Sequence, residues 1–150
     1  MREKAKVENE LVNTKAYAVA ADPTEGLKLP TTVADVPYID FAPILNALAH
    51  LEKASQQVEQ VKANADTQKL AAMNAKIYKA EQVLLMSSGL PRRPWYKHSL
   101  YAPGFYTGYG VKTIPGVREA IEQKNWSETT TQIGEVAAAI NRLATYLETL

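Results

Sequence analysis

The sequence predicts an all-α fold: a four-helix-type bundle with a long, ordered Gly/Pro/aromatic loop between the third and the last helices. Three observations carry this. Apolar residues recur at spacings of three and four over most of the 150 residues, the pattern of amphipathic helices. Stop and start signals separate those stretches: Asp22-Pro23, Asp40 with Pro43, Asn64-Ala65-Asp66, and Thr113 with Pro115. Between Gly89 and Gly116 the periodicity vanishes. That segment holds Pro91, Pro94, Pro103 and Pro115 with glycines at 89, 104, 108, 110 and 116, and proline's missing donor and glycine's entropic cost predict no regular element there.

Taken in order, residues 2–21 read as a first helix with Val7, Leu11, Thr14 and Ala18 on its inner face, ended by Asp22-Pro23, because the residue before proline is pushed out of the helical region. Residues 22–39 read as a connector pinned to the core by Val36, Tyr38 and Ile39. Asp40 is a good N-cap and Pro43 suits the first turn. The second helix then reaches Ala63 with Phe41, Ile44, Leu45, Leu48, Leu51, Ala54, Val58 and Val61 as its stripe. A third helix is predicted from Thr67 to about Met86, with Leu70, Met73, Ile77, Ala80 and Leu84 inward. The short Asn64–Asp66 break predicts that it lies antiparallel beside the second. Thr113 caps a short helix carrying Val117, Ala120 and Ile121, and the last helix starts near Ser127 with Ile133, Val136, Ala137, Ile140, Leu143 and Leu147 inward. There is no internal repeat and no convincing strand.

Bulk properties bound the function. The length suits one domain with a real core. A net charge of +1 makes no case for nucleic acid or acidic membranes. The absence of cysteine removes disulfides, thiolate metal sites and thiol nucleophiles. No apolar run approaches the ~20 residues needed to span a bilayer. The opening MREKAKVENEL is charged and periodic, without the apolar core of a signal peptide, and it suggests a fragment of something longer.

The proline- and glycine-rich segment is not linker-like. Six of the chain's twelve aromatic residues fall between Trp95 and Tyr109, and long loops carrying their own aromatic side chains are usually ordered and often functional. From Gln82 to Arg118 there is no Asp or Glu, but there are Arg92, Arg93, Lys97, Lys112 and Arg118. A cationic, aromatic, glycine-punctuated loop is a candidate surface for an anionic group. Trp95, Tyr96 and Tyr101 are expected to pack in the gap between helix ends. Tyr109, flanked by Gly108 and Gly110, is expected to project as a contact residue.

Dedicated catalytic signatures are missing. His50 and His98 lie far apart and outside any HExxH motif, so hydrogen-bonded structural histidines are expected and no metal site. There is no Gly-x-Ser-x-Gly elbow. GFYTGYG lacks the spacing of a phosphate loop. RRPWYKH mixes cations and aromatics as single-strand nucleic-acid binders do, but in a near-neutral chain the expectation is no nucleic acid.

LPRRPWYKHSLYAPGFYTGYGVKTIPGVREAIEQ resembles the C-terminal helical domain of the glutamate carboxypeptidase II and transferrin receptor family. The resemblance rests on the Arg93–His98 run, Tyr101-Ala102-Pro103, Tyr109 and Pro115-Gly116; the flanking helices agree in order and length. It implies that residues 1–150 are a helical homodimerisation domain lacking the family's first helix, cut from the C-terminal part of a larger peptidase. Two zinc ions, their ligands and the catalytic glutamate would lie in the parent's peptidase domain, with no catalytic or metal residue in this chain. The resemblance also implies an exported or extracytoplasmic parent, and no membrane contact by this domain.

In such carboxypeptidases the loop reaches the substrate pocket, where a Lys-Tyr pair helps hold the substrate's C-terminal glutamate. Ungapped alignment from Tyr101-Ala102-Pro103 to Pro115-Gly116 puts that pair at Gly108 and Tyr109. Tyr109 is thereby implied as a carboxylate contact for a peptide substrate. Gly108 departs from the family and puts glutamate specificity in question, and Lys112 is a candidate replacement cation. Trp95, His98, Tyr101, Pro103, Pro115 and Gly116 are implied as the structural frame. The alternative is a non-catalytic, receptor-like protein–protein interaction module.

Overall fold

The computed structural model describes residues 2–20 and 30–150. The chain divides into two compact units, Met1–Tyr38 and Ile39–Leu150. In the first, helix α1 spans Arg2–Asn13, and a 3-10 turn covers Ala16–Ala20. The predicted single helix to residue 21 is cut short because Lys15 adopts φ 57°, a left-handed conformation that no helix continues through. The Asp22-Pro23 stop and the connector to residue 29 lie outside the described residues. The predicted inner face is also corrected: Val7 and Leu11 are exposed and Ala5 is buried. The extended stretch beyond Pro30 is held by Asn9, whose amide donates to Val33 O (2.9 Å) and accepts from Val33 N (2.7 Å).

The second unit is built on two long helices, α2 (Ala42–Ala63) and α5 (Trp126–Leu147), packed against each other. Ala47, Val117, Ile133, Val136, Ala137 and Ile140 form its buried centre. Ile39, Ile44, Leu51, Leu100, Ile114 and Ile121 pack around them. Alanines at 47, 54, 137 and 144 are buried, and small side chains at a helix contact let the axes approach closely. Of the predicted α5 stripe, Ile133, Val136, Ala137 and Ile140 are buried and Leu143 and Leu147 are half-buried, with Ala139 and Ala144 buried beside them. The α2 stripe is narrower than predicted: Phe41, Leu45 and Leu48 stand on the exposed flank, while Ile44, Ala47, Leu51 and Ala54 face α5.

Helix α3 (Thr67–Ile77) starts as expected, with Asp66 accepting from Lys69 N at 2.7 Å. It ends nine residues before the predicted Met86. A 3-10 segment, Ala80–Leu84, follows. Contacts with α5 and the residues just after it gather at this break. Tyr146 Oη donates to Lys76 O (2.8 Å) and Lys76 Nζ donates to Thr149 O (2.6 Å). Arg142 donates to Val83 O and Leu85 O. Carbonyls satisfied from another element need no helical partner. The extensive pairings are α5 with α2, with the 3-10 segment and with the short helix α4 (Pro115–Glu122). α3 has no comparable pairing with α2, so the expectation of antiparallel neighbours is corrected.

Caps shift by one or two residues. Phe41 occupies the α2 cap position, while Asp40 Oδ1 accepts from Ala42 N at 2.8 Å. Asn125 caps α5 by accepting from Glu128 N. Ile114, and not Thr113, precedes α4, without a side-chain cap bond. Among the described residues no helix is long and apolar enough to cross a membrane.

The division between the α2–α5 core and the exposed flank of α2 is testable by denaturant unfolding of the isolated chain. Ile140→Ala should destabilise it by about 2–5 kcal/mol, the range for buried Ile truncations. Leu45→Ala, at a side chain 62% exposed, should stay within roughly 0.5 kcal/mol of wild type.

Candidate functional site

The segment predicted to hold no regular element contains a small hairpin. Strands β1 (Tyr101–Pro103) and β2 (Val111–Thr113) pair antiparallel, with Tyr101 opposite Thr113, Ala102 opposite Lys112 and Pro103 opposite Val111. Gly104 N to Gly110 O (2.9 Å) and Ile114 N to Leu100 O (2.7 Å) extend the pairing at both ends. Pro103 is tolerated because a proline at the end of a short edge strand removes no needed donor. Gly108 sits at the tip with φ 66°, and open space surrounds the position of a Cβ. Tyr109 beside it is 100% exposed.

One buried ion pair fixes this hairpin to α4. Arg93 Nη2 donates to both oxygens of Glu119 (2.8 and 2.7 Å), and Nη1 donates to Pro103 O (2.5 Å). Glu119 Oε1 also accepts from Phe105 N (2.8 Å). The two side chains are 6% and 1% exposed. The Arg93 guanidinium also lies 5.4 Å from the ring centres of Tyr96 and Phe105, within cation–π range. Sequence reading treated Arg93 as a surface cation and gave Glu119 no role. The spacing of 26 residues offered no local signal that they pair.

The other loop cations are also engaged. Arg92 makes two 2.8 Å bonds to Glu128, which hold the Glu128 carboxyl below its ordinary pKa. Lys112 Nζ lies 2.6 Å from Glu122 Oε2, and Lys97 Nζ donates to Ser87 O at 2.6 Å. Arg118 donates to Thr113 Oγ1 at 3.2 Å. Three of the five cations, Arg92, Arg93 and Lys112, are therefore paired in space with Glu128, Glu119 and Glu122 from α5 and α4.

The predicted frame residues divide. Met86, Leu90 and Ala102 fill the interior of the loop with Tyr96 packed against them. Trp95, expected there, is 67% exposed. Tyr101 is half-exposed, stacks on His98 (ring centres 3.9 Å apart) and donates to Glu81. That bond to a carboxylate raises the Tyr101 pKa. Pro115 and Gly116 are buried in the first turn of α4. A Cβ on Gly116 would lie 2.1 Å from Gln132 Oε1, so glycine there permits the α4–α5 contact.

Both histidines are hydrogen-bonded within the fold. His98 Nδ1 accepts from Leu100 N and Tyr101 N (3.2 and 3.4 Å), so the neutral ring carries its proton on Nε2. Burial lowers its pKa, opposed by Glu81. His50 bridges α2 to α5, with Nδ1 3.0 Å from Asn141 Oδ1 and Nε2 3.0 Å from Glu148 Oε1. The bonds to Asn141 and then Glu148 raise its pKa. Among the described residues no group of three His, Asp or Glu side chains could hold a metal ion.

Residues 39–148 match the family described as transferrin receptor-like dimerisation domain. The chain belongs to that family. The match coincides with the second compact unit and includes the whole hairpin. A probable glutamate carboxypeptidase of Arabidopsis thaliana is 31% identical over 118 residues, covering 73% of this chain and 17% of that protein. A probable glutamate carboxypeptidase of Arthroderma benhamiae is 34% identical over 96 residues, covering 63% of this chain and 12% of that protein. The dimerisation-domain sequence therefore spans about a sixth or less of these relatives.

Two measurements check the site geometry. Glu119→Gln should destabilise the chain by about 3–5 kcal/mol, because it leaves the Arg93 charge buried without its partner; denaturant unfolding reads this. In an NMR titration of the folded chain, His50 should titrate above 6.5 and His98 below it. By linkage, the His50 contribution is complete below 6.5 and is lost as pH rises through its folded pKa. The His98 term has the opposite sign: stability falls as pH drops from 6.5 through its lowered folded pKa.

Proposed function

We propose that this chain is the homodimerisation domain of a zinc-dependent peptidase of the glutamate carboxypeptidase type, and that its 89–116 loop helps complete that enzyme's substrate pocket. The carrying observation is Tyr109: a fully exposed phenol at the tip of a hairpin anchored by a buried ion pair. A side chain held outward on a fixed support is arranged to touch a second body. The family membership and the carboxypeptidase relatives supply the kind of body: a peptidase domain of the parent protein and its peptide substrate. That the residues before Ile39 belong to the same dimerisation domain is part of the proposal, as is an exported parent.

In this reading Tyr109 Oη donates a hydrogen bond to the substrate's C-terminal carboxylate, and the hairpin keeps it in place. Two zinc ions and the hydrolytic chemistry belong to the peptidase domain. No zinc ligand and no catalytic step are assigned to the residues of this chain. Neither nucleic acid nor membrane is a partner of this domain. A non-catalytic, receptor-like interaction module is the second reading, favoured by the pairing of Arg92, Arg93 and Lys112 with carboxylates.

The test uses the full-length protein with zinc. Tyr109→Phe should lower kcat/KM for a peptide by about ten- to a hundred-fold, since a hydrogen bond to a charged group contributes roughly 1.5–3 kcal/mol and each decade is about 1.36 kcal/mol. An unchanged kcat/KM removes the loop from the pocket, and absence of zinc-dependent hydrolysis favours the receptor-like reading. The isolated chain, by contrast, should not hydrolyse peptides above a buffer control when supplied with zinc. Light scattering should find it as a dimer at high concentration; a strict monomer at millimolar protein would count against homodimerisation.

A further inference from the structure

We infer that the hairpin tip selects peptides whose C-terminal side chain is apolar or aromatic, and disfavours those ending in glutamate or aspartate. The inference rests on the pocket-completing role proposed above and names the substrate class of that site. Three independent features of the hairpin lead to it.

The first is charge. The arginines of the loop are committed to carboxylates: Arg92 to Glu128 and Arg93 to Glu119. Lys97 is bonded to the Ser87 carbonyl. Arg118 lies on α4 and bonds Thr113 at the base of the hairpin, away from the tip. Lys112 is the remaining cation on a strand, and it is paired with Glu122 at 2.6 Å. Swinging Lys112 out to a substrate carboxylate would exchange one ion pair for another and leave Glu122 alone. Position 108 offers no cation either, being glycine.

The second feature is strand alternation. Neighbouring residues on a strand face opposite sides. Lys112 shares a face with its partner Ala102, which is buried, and that face meets Glu122 of α4. Val111 lies on the other face and is 74% exposed. The register therefore turns the lysine inward and an aliphatic side chain outward.

The third feature is the surface at the tip. Tyr106, Tyr109 and Val111 are all exposed. An acidic substrate side chain brought against these groups would lose water without gaining a cation, which is unfavourable. An apolar side chain would lose water at no such cost. The terminal carboxylate, common to every peptide, is left to the Tyr109 hydroxyl.

The test compares three peptides, identical except for a C-terminal Leu, Gln or Glu, as substrates of the zinc-loaded full-length protein. Gln is the uncharged isostere of Glu and isolates charge from size. The expected order of kcat/KM is Leu, then Gln, then Glu, with Leu above Glu by about ten-fold or more, the scale on which apolar pockets discriminate. Val111→Ser should reduce turnover of the Leu peptide more than that of the Glu peptide, with circular dichroism confirming the fold. Glu122→Gln releases Lys112 and should raise the Glu-to-Gln ratio.

A wild-type preference for Glu over Gln of about ten-fold would overturn the inference. If Tyr109→Phe lowers turnover of all three peptides while Glu remains preferred, the pocket-completing role stands and the specificity inference falls. If Tyr109→Phe and Val111→Ser leave all three unchanged, or if no peptide is hydrolysed, both fall together.

Discussion

The buried pair between Arg93 and Glu119 is the interaction on which the hairpin and its attachment to α4 depend. Its two side chains satisfy groups from three places at once: the loop at Arg93, the end of β1 through Pro103 O, and the turn beyond it through Phe105 N. Buried ion pairs are often no more stabilising than well-packed apolar residues. Here the pair also supplies direction. It ties a segment full of prolines and glycines to one face of α4, and the hairpin has one orientation as a result. Tyr96 and Phe105 lie against the guanidinium, whose Nε is buried without a hydrogen-bond partner among the described residues.

Rigidity at the base allows exposure at the tip. Beyond Phe105 the turn is exposed from Tyr106 to Gly110, and Gly108 takes the left-handed backbone there. A side chain such as Tyr109 would cost too much conformational entropy on binding if the whole loop were free. With the strands paired and anchored, only the tip residues need to be ordered when a second body arrives. Dimerisation and pocket completion, as proposed, draw on different parts of the domain: the helices carry the mass, and the hairpin carries the contact.

Charge in this domain is arranged in space and not along the chain. The run from Gln82 to Arg118 has cations and no carboxylates, yet its arginines are matched by Glu119 and Glu128, and Lys112 by Glu122. These pairings are partly or fully buried, so salt screens them less than exposed pairs. A local excess of positive charge in sequence is therefore largely offset in the fold by carboxylates from other elements. The same logic places His50 between α2 and α5, where Asn141 and Glu148 meet its two ring nitrogens from 91 and 98 residues away.

The sequence by itself determined the mostly helical class, the α5 stripe, the Asp66 cap, the short helix after the loop and, through the Arg93–His98 and Tyr101–Gly116 motifs, the family. These are local quantities: periodicity over a few turns, capping chemistry and contiguous motifs. Tertiary structure decided the rest. It chose which flank of α2 is buried: Ile44, Ala47 and Leu51 pack into the core shared with α5, and Phe41, Leu45 and Leu48 stay outside. It ended α3 at Ile77, where Tyr146 of α5 takes the Lys76 carbonyl that a longer helix would have used. It built β1 and β2 from runs of only three residues among prolines and glycines, too short to read as strands, because the Arg93–Glu119 pair and the cross-strand bonds at Leu100–Ile114 and Gly104–Gly110 hold them together. It also turned Lys112 inward, since the side of a strand on which a residue falls depends on register, and register is set by pairing across the sheet and not by the residue itself.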